Sequence, residues 1–234
     1  PELKIITLED PSEYRIAGVE QTQVDEESGY TFSRGLRSIL RQDPDIILVG
    51  EIRDTDTAET AMHAALTGHL VLTTLHTNDA VGSVPRLIDM GVRPYIMAPA
   101  VNAVIAQRLV RKVCPHCREE YPMTAEERAL IRKAMKGIHS DIFKPAILDE
   151  PRRALVRAKG CPKCNDTGYR GRVGVFEIFA MKGEIEQLTL DGADTLRLKQ
   201  AAVKQGMTTI TQDAMLKVLE KITTLEEAAR VGEA

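Results

Sequence analysis

The chain has 234 residues and no tryptophan, with only four phenylalanines and five tyrosines. It therefore offers few rings for nucleobases to stack on. A net charge of −3, with 28% charged residues, supplies no positive field for a phosphate backbone. Neither feature suggests a nucleic-acid partner. No apolar run approaches the ~20 residues needed to cross a bilayer as a helix, and no secretory leader precedes the first acidic residues. Internal repeats and low-complexity tracts are also missing. Cysteine occurs at four positions only. These features are those of a cytoplasmic protein with reduced thiols. The chain opens Pro1-Glu2-Leu3, without an initiator Met, and reads as a piece of a longer protein.

The four cysteines form two matched pairs, Cys114-Pro-His-Cys117 and Cys161-Pro-Lys-Cys164. C-x-x-C spacing lets two thiolates face one ion, and two such pairs complete a tetrahedral sulfur site. The expectation is a structural zinc held by Cys114, Cys117, Cys161 and Cys164. Four protein sulfurs leave no open position for water or substrate, so the ion holds structure and does no chemistry. Two disulfides, or redox pairs, are the competing readings. Disulfides suit small secreted chains better than this one. His116, inside the first knuckle, is a competing ligand, although a solvated knuckle residue is the simpler reading. Residues 118–160 separate the pairs, too many for a compact finger. They include Thr124-Ala-Glu-Glu127, a capping box that opens a helix. The ion then clips a small inserted lobe shut.

Elsewhere, strands alternate with helices. Lys4–Leu8 reads as a short buried strand ending at Glu9-Asp10-Pro11, where proline stops the ladder. Phe32–Leu40 is helical in period, with Ser33 as a candidate cap. Ile46-Ile47-Leu48-Val49 is a continuous apolar run, typical of a strand covered on both faces, and leads into Gly50-Glu51. Thr57–Leu66 reads as an alanine-rich helix, and Leu70-Val71-Leu72 as a strand leading to His76. Helices are expected near Ala80–Met90 and Tyr95–Val110, and a strand at Val173–Phe179. The tail reads as helical over Thr195–Gln205, Gln212–Lys221 and Leu225–Val231, the last opened by a second capping box at Thr224-Leu-Glu-Glu227. The fold class is α/β with a parallel sheet.

Ligands bind outside the carboxyl ends of strands in open parallel sheets. Here three strands deliver Glu9-Asp10, Glu51 and His76 at or beyond those ends, with His69 at the start of the third. Taken singly, each is an ordinary loop charge or turn residue. Together they suit a nucleotide triphosphatase, which needs carboxylates for Mg²⁺ and for the attacking water, and a donor at the terminal phosphate. Arg34, Arg37 and Arg41 share one helical face, which is either solvated or a subunit contact.

The chain resembles the secretion-superfamily ATPases that drive type II secretion and type IV pilus assembly. Ile6-Thr-Leu-Glu-Asp-Pro-Ser-Glu13 is similar to their Asp box, Leu40 to Asp54 to their Walker B segment, and Thr67 to Asn78 to their His box. Ala106 to Arg111 before the first knuckle, and Gly168 to Arg172 after the second, are similar to the tetracysteine region of the assembly ATPases. Retraction ATPases generally lack those cysteines. The resemblance implies a partial RecA-like parallel-sheet core at 1–112, an inserted tetracysteine zinc lobe at 113–172 and a mostly helical C-terminal subdomain at 173–234. It implies ATP, Mg²⁺ and structural Zn²⁺ as cofactors. Glu51 would polarise the hydrolytic water. Glu9, Asp10 and Glu13 would organise Mg²⁺ and the pocket, and His76 and His69 would contact the γ-phosphate region. Gly50 stands where many P-loop enzymes keep a Walker B aspartate, which is normal for this family.

One departure is large. The family's phosphate-binding loop, G-x-x-x-x-G-K-[ST], occurs nowhere in the sequence. Its amide cradle and lysine are the main holding groups for the β- and γ-phosphates. The reading is therefore the C-terminal part of a motor ATPase for type II secretion or type IV pilus assembly, inactive by itself. The complete protein would be a homo-hexamer, cytoplasmic and peripherally bound to inner-membrane platform proteins. The alternatives are a zinc-ribbon nucleic-acid-binding module and a non-catalytic docking module.

Overall fold

The computed structural model describes residues 2–150, 153–192 and 194–232. In chain order the strands are β1 Ile5–Glu9, β2 Glu20–Gln23, β3 Ile46–Val49, β4 Leu70–Thr73, β5 Ala103–Val113, β6 Arg118–Pro122, β7 Ala154–Ala158 and β8 Tyr169–Ala180. The helices are α1 Phe32–Ile39, α2 Thr55–Leu66, α3 Ser83–Asp89, α4 Pro94–Ala100, α5 Ala125–Ala134, α6 Glu184–Leu190, α7 Thr195–Lys204, α8 Ile210–Leu219 and α9 Leu225–Gly232. None of the described helices is long and apolar enough to cross a membrane. The contacts divide the chain into two compact units.

The first unit comprises the residues up to Thr77 together with Val81–Val104 and Ala180–Leu198. Its sheet has the order β2-β1-β3-β4, with every pair parallel. Ile6 and Leu8 of β1 and Ile47 and Val49 of β3 are buried. Central parallel strands are covered on both faces, which is why they read as uninterrupted apolar runs. Helix α1 lies so close to β1 that a methyl group on Gly35 would fall 2.8 Å from the Leu8 side chain. Its cap is Thr31 and not Ser33: Thr31 is extended and its side chain accepts from the Arg34 amide. Helix α2 starts two residues earlier than its period suggests, because the Asp54 side chain accepts from the Thr57 amide.

The stretch Tyr95–Val110 is not one helix. α4 ends at Ala100, Val101 turns to extended backbone, and β5 follows with exposed and half-buried positions alternating up to Val110. Ala-Val-Ile-Ala-Gln-Arg-Leu-Val fits both periods in sequence, and pairing with β8 selects the strand.

The second unit comprises Asn78–Ala80, Ile105–Phe179 and Lys199–Ala234. β6 and β7 form an antiparallel pair running from Arg118↔Ala158 to Pro122↔Ala154. The α5 capping box forms as its sequence suggests, with Thr124 and Glu127 bonding reciprocally. Ile131 of α5, Leu148, Leu155 of β7, Val175 of β8, and Met215 and Val218 of α8 share one core. At the start of α9 only half of the expected box forms. Thr124's counterpart, Thr224, accepts from the Glu227 amide. The Glu227 carboxylate turns instead to the main-chain and side-chain nitrogens of Arg111 on β5. A buried carboxylate gains more from a guanidinium than from one further amide.

Candidate functional site

Because β1, β3 and β4 run in one direction, Glu9, Glu51 and the segment reaching His76 emerge at the same end of the sheet. Two bonds tie the segments beyond β3 and β4: Thr74 Oγ1 donates to the Gly50 carbonyl at 2.7 Å, and the Ile52 amide donates to the Thr74 carbonyl at 3.1 Å. They bring Glu51 and His76 together. His76 Nε2 donates to Glu51 Oε2 at 3.0 Å, and Arg53 Nη2 meets Glu51 Oε1 at 2.6 Å. The Glu51 side chain is 14% exposed, whereas that of His76 is 85% exposed. The Arg53 hydrogen bond holds the Glu51 carboxyl below its ordinary range; burial opposes this and His76 assists it. Glu51 is thus ionised at neutral pH. Arg53 Nη1 also lies 3.7 Å from Asp10 Oδ2.

Gly50 allows the close approach of β3 to β1. Its amide donates to the Leu8 carbonyl at 2.7 Å, and a Cβ there would sit 3.1 Å from that same oxygen. Any side chain at this position, aspartate included, would crowd the β1 backbone.

Glu9 has its own set of partners. Its carboxylate accepts from Thr7 Oγ1 and from Gln21 Nε2 of β2, at 3.0 Å for the latter. Thr7, then Gln21, hold its carboxyl below the ordinary range, and the Glu13 amide assists. Glu13 enters this group through its main chain, while its side chain is exposed. His69 is not brought to the group. It precedes β4 at the opposite end of the strand, where its Nδ1 donates to the Ala64 carbonyl of α2 at 2.9 Å. That bond closes the α2–β4 turn. The three arginines of the α1 face engage locally: Arg34 with the Gly29 carbonyl, Arg37 with Asp56 and Arg41 with Ser38. Sequence reasoning assigned no role to Arg53, Gln21 or Thr74. Only Arg53 carried a signal, since it lies two residues past Glu51, on the same side of an extended segment.

In the second unit the four cysteine sulfurs lie within 4.8 Å of one another. The Cys114–Cys161, Cys117–Cys164 and Cys161–Cys164 separations are 4.0, 3.8 and 3.7 Å. A disulfide would require about 2.0 Å, so the cysteines are unpaired thiols. Sulfurs placed tetrahedrally at about 2.3 Å from a zinc ion would be about 3.8 Å apart, and the observed spacing fits. His116 is exposed and stands outside the cluster.

The backbone prepares one of these thiols, Cys164, to be a thiolate, whereas burial pushes the Cys117 thiol up to about 12. The Cys161 and Gly168 amides each point at Cys164 Sγ, at 3.3 Å. Burial pushes the Cys164 thiol up, but those amides and the neighbouring thiols bring it down to about 7. The Gly168 carbonyl accepts from the Cys114 amide at 2.9 Å, so this one residue fastens both knuckles. Gly168 has φ +75°, and a Cβ on it would sit 2.6 Å from Ala158 Cβ on β7.

A sequence profile of the family described as "Type II/IV secretion system protein" matches residues 1–230. The chain is 45% identical over 230 residues to the type II secretion system ATPase E of Vibrio cholerae serotype O1, covering 98% of this chain and 43% of that protein. It is 44% identical over 230 residues to the type IV pilus assembly ATPase PilB of Thermus thermophilus, covering 97% of this chain and 24% of that one. Among solved structures, the pilus retraction motor PilT with bound ADP matches with a TM-score of 0.66 and 27% identity, over 98% of this chain and 52% of that one. The chain thus spans less than half the length of these curated relatives. With the match running almost from end to end, the chain belongs to the type II/IV secretion system protein family.

Proposed function

We propose that this chain is the C-terminal part of a motor ATPase that hydrolyses ATP to power type II secretion or type IV pilus assembly. The observation that carries the reading is the Arg53–Glu51–His76 cluster at the carboxyl end of a parallel sheet, where such folds receive nucleotide. Glu51 orients the hydrolytic water, and its ionised carboxylate is suited to accept that water's proton. His76, exposed beside it, donates to the γ-phosphate region. Glu9, Asp10 and the Glu13 segment face the Mg²⁺ of the bound nucleotide. His69, held at the far end of β4, takes no part.

The phosphate-binding loop belongs to the remainder of the complete protein, so turnover requires that remainder. The outer edge of β4, with Leu70 and Leu72 about half exposed, has the character of a strand awaiting a parallel neighbour. The complete protein acts as a homo-hexamer at a cytoplasmic membrane face, against platform proteins of the secretion or pilus machinery. Cys114, Cys117, Cys161 and Cys164 hold a structural Zn²⁺, and the zinc-clipped lobe spans about 113–172.

The test is Glu51→Gln in the complete protein. Water orientation acts mainly in the transition state, so kcat should fall by about a hundredfold or more with ATP affinity nearly unchanged. Equal losses of binding and turnover would assign Glu51 a structural role and end the reading.

A further inference from the structure

Three polar side chains meet on one face of the parallel sheet. Thr7 and Glu9 stand two apart in β1 and so point the same way. Gln21 of β2 lies beside Thr7 in the parallel register. Both ends of its side-chain amide are engaged. Nε2 donates to Glu9 Oε1 at 3.0 Å and to the Tyr14 carbonyl at 2.8 Å, and Oε1 accepts from the Ile16 amide at 2.8 Å. Two donations and one acceptance suit a primary amide; a carboxylate cannot donate and an ammonium cannot accept. The donors on Glu9 converge on a single oxygen. Thr7, buried, also donates its hydroxyl to Oε1. A carboxylate oxygen has two lone pairs, and Thr7 and Gln21 take up those of Oε1. Among the described residues, no side chain donates to Oε2, and the Glu13 amide adds only the weakest of the contacts. Oε2 therefore keeps open acceptor capacity, which is what a hard cation or its water needs from a carboxylate.

We propose that Gln21 is a positioning residue: with Thr7 it fills Glu9 Oε1 and so leaves Oε2 as the oxygen offered to Mg²⁺ or to a water on it. The inference rests on the assignment of Glu9 to the Mg²⁺ of the bound nucleotide. Hydrogen bonds behind a carboxylate fix its rotation and thereby set its affinity for an ion. Mg²⁺ demands near-ideal geometry, so a carboxylate free to rotate is a poorer partner for it. Gln21 also ties the carboxylate to the Tyr14–Ile16 backbone, so one side chain sets both Glu9 and the loop that follows β1.

The test uses the complete protein with a non-hydrolysable ATP analogue and Mn²⁺ in place of Mg²⁺, free Mn²⁺ being counted by electron paramagnetic resonance. Gln21→Met keeps an unbranched side chain and removes the amide. It should raise the Mn²⁺ dissociation constant about tenfold, the usual loss when a partner behind a metal ligand is removed, with metal-free binding of the analogue unchanged. Exchange protection of the Ile16 amide should fall while β3 stays protected, which shows the clamp released in a folded chain. Thr7→Val should weaken Mn²⁺ binding in the same way, and Thr7→Ser, which keeps the hydroxyl, should retain wild-type affinity. Glu9→Gln should itself weaken Mn²⁺ binding, and adding Gln21→Met to it should cost nothing more, because Gln21 acts through Glu9. Wild-type Mn²⁺ affinity in Gln21→Met, or losses that multiply in the double variant, would overturn the positioning role. Should Gln21→Met not fold, equal Mn²⁺ affinities in Thr7→Val and Thr7→Ser would overturn it. Wild-type Mn²⁺ affinity in Glu9→Gln would instead remove Glu9 from the metal, and the two failures are thereby told apart.

Discussion

Glu227 is buried at the start of α9 and 1% exposed, and its ionisation is linked to the stability of the second unit. Its carboxylate accepts from the Arg111 amide at 3.0 Å, from Arg111 Nη2 at 2.5 Å and from Arg230 Nη2 at 3.2 Å. Arg111 in turn lies 4.1 Å from the centre of the Tyr169 ring, and Tyr169 bonds to Thr224 at the α9 cap. Burial alone would push the Glu227 carboxyl up; Arg111, through side chain and amide, and then Arg230 bring it down to about 2. The gap from an ordinary glutamate corresponds to about 3 kcal/mol of folding free energy, at about 1.4 kcal/mol per tenfold change in proton affinity. The folded carboxyl is the stronger acid. Its stabilisation is therefore complete above about pH 5 and fades as the pH falls toward about 2.

Glu227→Gln should lower the stability of this unit by about 3 kcal/mol near neutral pH, because Arg111 is left against a neutral amide. The difference from the wild type should narrow below about pH 4 and close near pH 2. Taking the difference cancels the acid sensitivity that both proteins share at the cysteine cluster. Amide hydrogen exchange in α8 and α9, corrected for intrinsic rates, reports the opening of this unit alone. A gap that stays constant from neutral to acid pH, or one below about 1 kcal/mol at neutral pH, would refute the linkage.

Two further outcomes concern the metal. Chelation, or Cys164→Ser, should abolish exchange protection in β6 and β7 while leaving β1 and β3 protected, since a structural ion contributes its binding energy to folding; unchanged β6 and β7 protection after verified metal removal would contradict this. Gly168→Ala should weaken metal affinity at least about tenfold in a chromophoric chelator competition, because its Cβ would meet Ala158 and its φ is positive. Wild-type affinity in that variant would show that the Gly168 amide and carbonyl do not set the knuckles.

How far the fold can be read from the chain depends on how each element earns its burial. β1 and β3 announce themselves because both faces are covered, leaving the apolar runs around Ile6 and Ile47. β2 is silent: Glu-Gln-Thr-Gln has no apolar residue, and it becomes a strand only by pairing with β1. β5 gives an ambiguous signal that tertiary pairing decides. The cysteine cluster is legible from spacing, because C-x-x-C is a local rule. The carboxylates and His76 are legible from their place after apolar strands. His69 lacks that signal: it stands at the start of β4, where it closes the turn from α2, and only the resemblance implied a phosphate contact for it. Arg53 shows in the sequence only by its spacing from Glu51, while its approach to Asp10 comes from the pairing of β1 with β3.

The account stands on nucleotide binding at the carboxyl ends of β1, β3 and β4. Hydrogen exchange of the complete protein, with and without ATP and Mg²⁺, tests this most directly. Protection is expected to rise in residues 9–13, 50–54 and 74–78 and to stay unchanged around His69 and the four cysteines. Protection confined to the cysteine lobe, or to the His69 end of the sheet, would contradict the account.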